Sequence, residues 1–206
     1  GGHRMIAEEL PDGRRQVQFG NATDSELTAG LHFKTAKLYA VFSDHGLNGC
    51  AVAFQRHLRD HIVTFPQPAQ QRPVHYNCWE AIYFDHDISV LKQIATKAKS
   101  LGAERFVLDD GWFGHRDDDT TSLGDWQIDS RKYPDGLGPI VNHVSALDMQ
   151  FGLWFEPEMV SANSALYRSH PDWVLGPADQ LLGRKQMVLD MSLQEVSEYL
   201  FNSIAV

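Results

Sequence analysis

The 206-residue sequence holds only two cysteines, Cys50 and Cys78, and neither belongs to a CxxC pair. Two unpatterned thiols exclude a disulfide-stapled scaffold and a thiolate metal site, and they read as reduced, buried side chains of a cytoplasmic protein. The ten histidines are scattered, with none at the HExxH spacing that presents two ligands on one helix face. No metal and no cofactor are therefore expected. A basic surplus is missing as well. Eighteen Lys and Arg stand against 27 Asp and Glu, for a net charge of -9. A chain that tracks phosphates needs a positive face, so nucleic acid is not an expected partner. No run of about 18 apolar residues occurs, so no membrane span is expected. Nor does a charged and then apolar signal segment open the chain. Its first residues, Gly1-Gly2-His3-Arg4-Met5, read as the interior of a longer protein.

What is present is an ordinary globular composition, 43% hydrophobic and 22% charged, with room for one domain or one and a piece of another. Two regimes divide it. Residues 1–71 carry short β-like runs, such as Gln16–Phe19 and Lys37–Phe42, separated by Gly and Asp turns. A helix is predicted over Leu47–Ile62, followed by a Pro/Gln linker from Phe65 to Pro73. Residues 72–206 alternate instead. Strands are predicted at Val74–Trp79, Phe106–Leu108 and Phe151–Phe155, with a brief extended run at Met187–Leu189. Helices are predicted at Ile88–Leu101, with Gly102 as its stop, at Leu137–Leu147 and at Ser192–Ile204, with a helical turn at Ser164–Ser169. Ser192 and Glu195 have the spacing of a capping box for the last helix. Alternating β and α elements imply an α/β fold with parallel strands and crossover helices. Function at the C-terminal ends of successive strands suits the (β/α)8 barrel. Three βα units cannot close a barrel of eight, so the chain is expected to be the first part of one.

The strand ends carry the chemistry. Arg105-Phe106-Val107-Leu108 runs straight into Asp109-Asp110-Gly111-Trp112. Adjacent like charges at the end of a buried strand are costly unless something binds there. A helix cap needs one acid, not two. Tyr76-Asn77-Cys78-Trp79-Glu80 and Phe151-Gly152-Leu153-Trp154-Phe155-Glu156-Pro157-Glu158 repeat the pattern of a strand closed by Trp and carboxylates. Acids that bond hydroxyls, beside Trp faces that stack on sugar rings, point to a carbohydrate site. Trp79, Trp112 and Trp154 are candidate platforms. Glu156 and Glu158 are candidate acid/base groups or partners of an arginine from a neighbouring loop. Arg116-Asp117-Asp118-Asp119-Thr120 lacks the alternate-position spacing of a calcium loop and reads as a solvated charged loop.

These strings resemble the α-galactosidases of glycoside hydrolase family 36. The resemblance rests on Asn77-Cys78-Trp79-Glu80-Ala81, Leu108-Asp109-Asp110-Gly111-Trp112-Phe113-Gly114, Ser122-Leu123-Gly124-Asp125-Trp126, Gly152-Leu153-Trp154-Phe155-Glu156-Pro157-Glu158-Met159-Val160-Ser161, His170-Pro171-Asp172-Trp173 and Val188-Leu189-Asp190. It runs almost uninterrupted from Arg72 to the C-terminus. It implies that residues 1–71 end an N-terminal β-sandwich domain and that residues 72–206 begin the catalytic barrel. It implies retaining hydrolysis of terminal α-galactosyl residues from raffinose- and melibiose-type sugars by a homo-oligomeric parent. Asp109 and Asp110 would bind the galactose O4 and O6 hydroxyls, Trp79 and Trp154 would wall the pocket, and Arg184 would reach the sugar or its aglycone side. The family's nucleophile lies in a Lys-Trp-Asp-like string that does not occur here. Neither catalytic carboxylate is therefore expected within this chain, and the chain alone is expected to be inactive. Galactosyl transfer to another sugar, and a sugar-binding fragment without turnover, are the competing readings. A metal-dependent lyase would need an ion beside Asp109.

Overall fold

A computed structural model describes residues 3–21, 30, 32, 34, 37–64, 71–177, 180 and 182–205. The chain forms two compact units, residues 1–69 and 70–206. No helix among the described residues is long and apolar enough to cross a membrane.

In the first unit β1 (His3–Glu9) pairs antiparallel with β2 (Arg15–Asn21), with His3 opposite Asn21 and Glu9 opposite Arg15. Leu10-Pro11-Asp12-Gly13-Arg14 makes the turn. The Gly13 N–H donates to the Leu10 carbonyl at 2.8 Å, and Gly13 has a φ of 81°, where a side chain would be strained. The expected extended run Gln16–Phe19 lies inside β2. The run Lys37–Phe42 is not a strand. Apolar alternation makes a strand only where a neighbouring backbone accepts its hydrogen bonds. Residues 37–42 have no such partner among the described residues, and Phe42 is 90% exposed. The predicted helix forms as α1 (Gly46–His57) and widens into a π-helical turn over Leu58–Ile62, where the Val63 N–H reaches back to the Leu58 carbonyl. Linker residues 65–70 lie outside the described residues.

The second unit is built on a three-stranded parallel sheet, β3 (His75–Asn77), β4 (Arg105–Leu108) and β5 (Gln150–Leu153), in the order β3-β4-β5. His75 is level with Arg105, and Leu108 with Leu153. After β3 comes the short α2 (Trp79–Ile82) and then α3 (Ile88–Ser100). After β4 comes a long loop and then α4 (Gly138–Ala146). The core lies between sheet and helices. Leu91, Ala95 and Ala98 of α3 and Ile140 and Val144 of α4 are buried with Phe106 and Leu108 of β4. The 3.6-residue period of α3 explains the choice of face. Asp87 caps α3 by accepting from the Ser89 and Val90 N–H groups at 2.8 and 3.0 Å. Beyond β5, β6 (Met159–Ser161) pairs antiparallel with β7 (Gln186–Val188), with α5 (Ala165–Ser169) between them. The final helix, α6, spans Gln194–Ile204.

The expected capping box does not form. Leu193 holds the cap position of α6, without a side-chain bond. Ser192 bonds the Asp190 carboxylate instead, through its N–H at 3.0 Å and its hydroxyl at 2.6 Å. An acceptor two residues upstream captures Ser192 before the helix can. Replacing Asp87 by Ala is expected to cost about 1 kcal/mol, the value of one helix cap. Leu91→Ala should cost about 2–5 kcal/mol through a core cavity. Urea unfolding of both variants checks this; equal losses would mean that Asp87 does more than cap.

Candidate functional site

Because β3, β4 and β5 are parallel and in register, Trp79, Asp109–Asp110 and Trp154 emerge at the same end of the sheet. The Trp154 N–H donates to the Leu108 carbonyl at 2.9 Å, and the Cys78 N–H to the Val107 carbonyl at 3.1 Å. These bonds extend the ladder one residue past each strand. The Asp109 N–H then donates to the Cys78 Sγ at 3.4 Å. Burial pushes the Cys78 thiol up to about 11, so it stays a protonated acceptor.

The two carboxylates are held differently. The Asp109 carboxylate accepts from the Asn77 side-chain amide and from the Asp110 N–H. The Asn77 carbonyl oxygen accepts from the Trp79 N–H at 2.8 Å, so one side chain ties the ends of β3 and β4 and starts α2. Gly111, with a φ of 108°, turns the chain after Asp110. The Asp110 carboxylate accepts from Arg116, Nε to Oδ1 at 3.0 Å and one terminal nitrogen to Oδ2 at 2.9 Å. The exposures are 8% for Asp109, 2% for Asp110 and 0% for Arg116. Another terminal nitrogen of Arg116 donates to the Thr121 carbonyl at 2.8 Å, and the Arg116 Cζ lies 5.3 Å from the centroid of the Phe84 ring. Burial raises the Asp110 carboxyl above its ordinary value, and the Arg116 bonds oppose that rise. The planar fork of the guanidinium matches the carboxylate with charge-assisted hydrogen bonds.

Arg116 therefore corrects the sequence reading of a solvated loop at 116–120. Asp117, Asp118 and Asp119 are exposed, but Arg116 is not. The signal available was Asp110 itself, because a buried carboxylate needs a cation or several hydrogen-bond donors within reach, and an arginine six residues on can supply both. Arg184 joins through the same network. It sits in the turn before β7, donates to Asp119 at 3.3 Å, and Asp119 lies 4.0 Å from Arg116. Arg184 and Lys185 both have positive φ, 50° and 59°. Two adjacent non-glycine residues there store strain of roughly 1 kcal/mol or more each.

The tryptophans separate into two kinds. Trp79 and Trp154 are half-buried. Trp112 is 3% exposed, packs against Phe113, Trp126 and Phe155, and donates to the Trp154 carbonyl at 3.0 Å. It is core, not a platform, because its polar edge is used inside the protein. The expected arginine pairs of Glu156 and Glu158 are absent among the described residues. Glu158 is exposed, and half-buried Glu156 accepts from Gln186 at 3.4 Å. Burial raises the Glu156 carboxyl, and nearby Arg184 lowers it. Among the described residues no group of three His, Cys, Asp or Glu side chains is placed to hold a metal.

A family model described as Melibiase matches residues 32–206. The chain belongs to the Melibiase family. An α-galactosidase of Escherichia coli is 46% identical over 98% of the chain, which spans 29% of that relative's length. The crystal structure of the Lactobacillus brevis α-galactosidase aligns at 56% identity and a TM-score of 0.62, covering 66% of this chain and 19% of that one. Two variants of the Geobacillus stearothermophilus α-galactosidase AgaA, one in complex with stachyose and one with raffinose, each align at 46% identity and a TM-score of 0.70. Each alignment covers 80% of this chain and 23% of the relative. The chain thus spans less than a third of the length of these relatives.

Two outcomes follow from the charges. Arg116→Met strands the Asp110 carboxylate and should cost about 3–5 kcal/mol. Asp110→Asn added to it should restore part of that loss, and a double variant less stable than Arg116→Met would refute the pairing. Buried His86 bonds Tyr133 at 2.6 Å, and burial pushes it down to about 4 from 6.5. Its neutral form is favoured by folding, so its contribution is complete above about pH 6.5 and is lost as pH falls through about 4. That is roughly 3 kcal/mol of pH-dependent stability, and the slope of unfolding free energy between pH 6.5 and 4 should flatten in His86→Gln.

Proposed function

We propose that this chain forms the galactose-recognising part of an α-galactosidase whose full-length form hydrolyses terminal α-galactosyl residues of raffinose-type sugars. One observation carries the reading. Two adjacent, nearly buried carboxylates stand at the C-terminal end of β4, each oriented by a partner, Asn77 for Asp109 and Arg116 for Asp110. An ionised carboxylate offers about four lone-pair positions, so both groups keep acceptors for sugar hydroxyls while their partners hold them still. In this reading Asp109 and Asp110 accept from O4 and O6, Trp79 and Trp154 wall the ring, and Arg184 lies towards the aglycone.

The reaction is retaining. A carboxylate attacks the anomeric carbon and a second group protonates the leaving oxygen, with the two about 5–5.5 Å apart. Both are supplied by sequence outside this chain. Asp190 is committed to the turn before α6, and Glu158 faces solvent. What this chain contributes is acceptor strength where the ring flattens towards its oxocarbenium-like transition state. In the full-length protein Asp110→Asn should lower kcat/KM by roughly 3 kcal/mol or more, the scale of one strong transition-state interaction. Glu158→Gln, at an exposed site, should change it by less than about threefold. Kinetics on an activated aryl α-galactoside decide. A near-wild-type Asp110→Asn beside a dead but folded Glu158→Gln would overturn the assignment.

A further inference from the structure

The Lys132 side chain is 13% exposed, and its ammonium meets three backbone carbonyls, those of Phe84 at 3.0 Å, Gly111 at 3.0 Å and Arg116 at 2.8 Å. Asp117 Oδ1 lies 3.0 Å away and balances the charge. An ammonium has three protons and no acceptor, so the carbonyls can take all of them. The three come from two loops. Phe84 lies in the loop after α2, Gly111 follows Asp110, and Arg116 is the residue whose guanidinium grips Asp110. The Gly111 peptide has no side chain to fix it. A Cβ there would stand 3.2 Å from the His86 Nε2 and 3.3 Å from the Phe84 backbone. Gly111 is thus packed closely between these neighbours, and the Lys132 bond to its carbonyl adds a polar tether to that packing. Lys132 is itself anchored, since its N–H and that of Tyr133 donate to the Asp129 carbonyl at 3.1 and 2.8 Å. A planar guanidinium could not converge on three carbonyls from two loops as a compact ammonium does.

We propose that Lys132 is a positioning residue for the Asp109–Asp110 pair, its ammonium tying the loops after α2 and β4 into one rim that presents both carboxylates at fixed spacing. This rests on the function proposed above. Lys99 is the matched control. It bonds the Asp148 carbonyl at 2.9 Å, beside the start of β5 and so at the opposite end of the sheet.

The test is a double-mutant cycle in the full-length protein, with kcat/KM on an activated aryl α-galactoside and inhibition by galactose measured well below each variant's melting temperature. Lys132→Met is expected to lower kcat/KM about 100-fold, as a displacement near 1 Å can, and to weaken galactose inhibition with it. Lys99→Met should stay within about threefold of wild type. In the Asp110→Asn background the Lys132→Met effect should shrink to less than about fivefold, because the group it positions has gone; a merely structural role would persist in full. Should Lys132→Met not fold, Lys132→Arg carries the test, with an expected loss of roughly tenfold in a folded protein. A folded Lys132→Met or Lys132→Arg within threefold of wild type, or an undiminished loss in the Asp110→Asn background, overturns the proposal. A wild type without α-galactoside hydrolysis overturns the functional reading and this inference together; an active wild type matched by its Lys132 variants overturns the inference alone.

Discussion

The Asp110–Arg116 pair is the interaction on which the functional end of this chain depends. Both groups are almost completely withdrawn from water. Removing a carboxylate or a guanidinium from solvent costs several kcal/mol each, which their mutual attraction offsets only with good geometry and with the remaining donors satisfied. Here two guanidinium nitrogens face the carboxylate and another reaches the Thr121 carbonyl. The loop from Gly111 to Thr121 must close around that arrangement, because any other path would leave a charge buried alone.

From this pair the order spreads outward through short links. Asp119 connects Arg116 to Arg184 in the turn before β7. Asp125 accepts from the Ala165 and Leu166 N–H groups, each at 2.9 Å, and fixes the start of α5. The Tyr199 hydroxyl donates to the Gly124 carbonyl at 2.7 Å, which attaches α6 to the same loop. A long connection with little regular structure is thereby held by side-chain bonds to backbone. That suits a rim that must be rigid without being a strand or a helix.

Much of the fold was readable because its determinants are local. The apolar period of α3, its cap at Asp87 and its stop at Gly102 lie within one stretch of sequence, and each acts through neighbours a few residues away. The same holds for the three parallel strands, whose apolar runs are bounded by helices. Lys37–Phe42 and Ser192 failed for a shared reason. A strand needs a partner from elsewhere, and a cap residue can be claimed by a competing acceptor, so local pattern alone does not decide either. Trp112, a stacking candidate by its place near Asp110, is core because Phe113, Trp126 and Phe155 close around it.

Residue order alone placed two carboxylates at the end of an apolar strand, tryptophans after the strands on either side, and all of these at one end of a parallel sheet. It did so because strand direction and residue type are written in order along the chain. Only the folded chain sets which cation pairs with Asp110, that Arg116 is buried while its acidic neighbours are not, and that Lys132 gathers three carbonyls from two loops. Those outcomes are set by distances between residues far apart in sequence or separated by an irregular loop, where no periodicity records which group will come within reach of another.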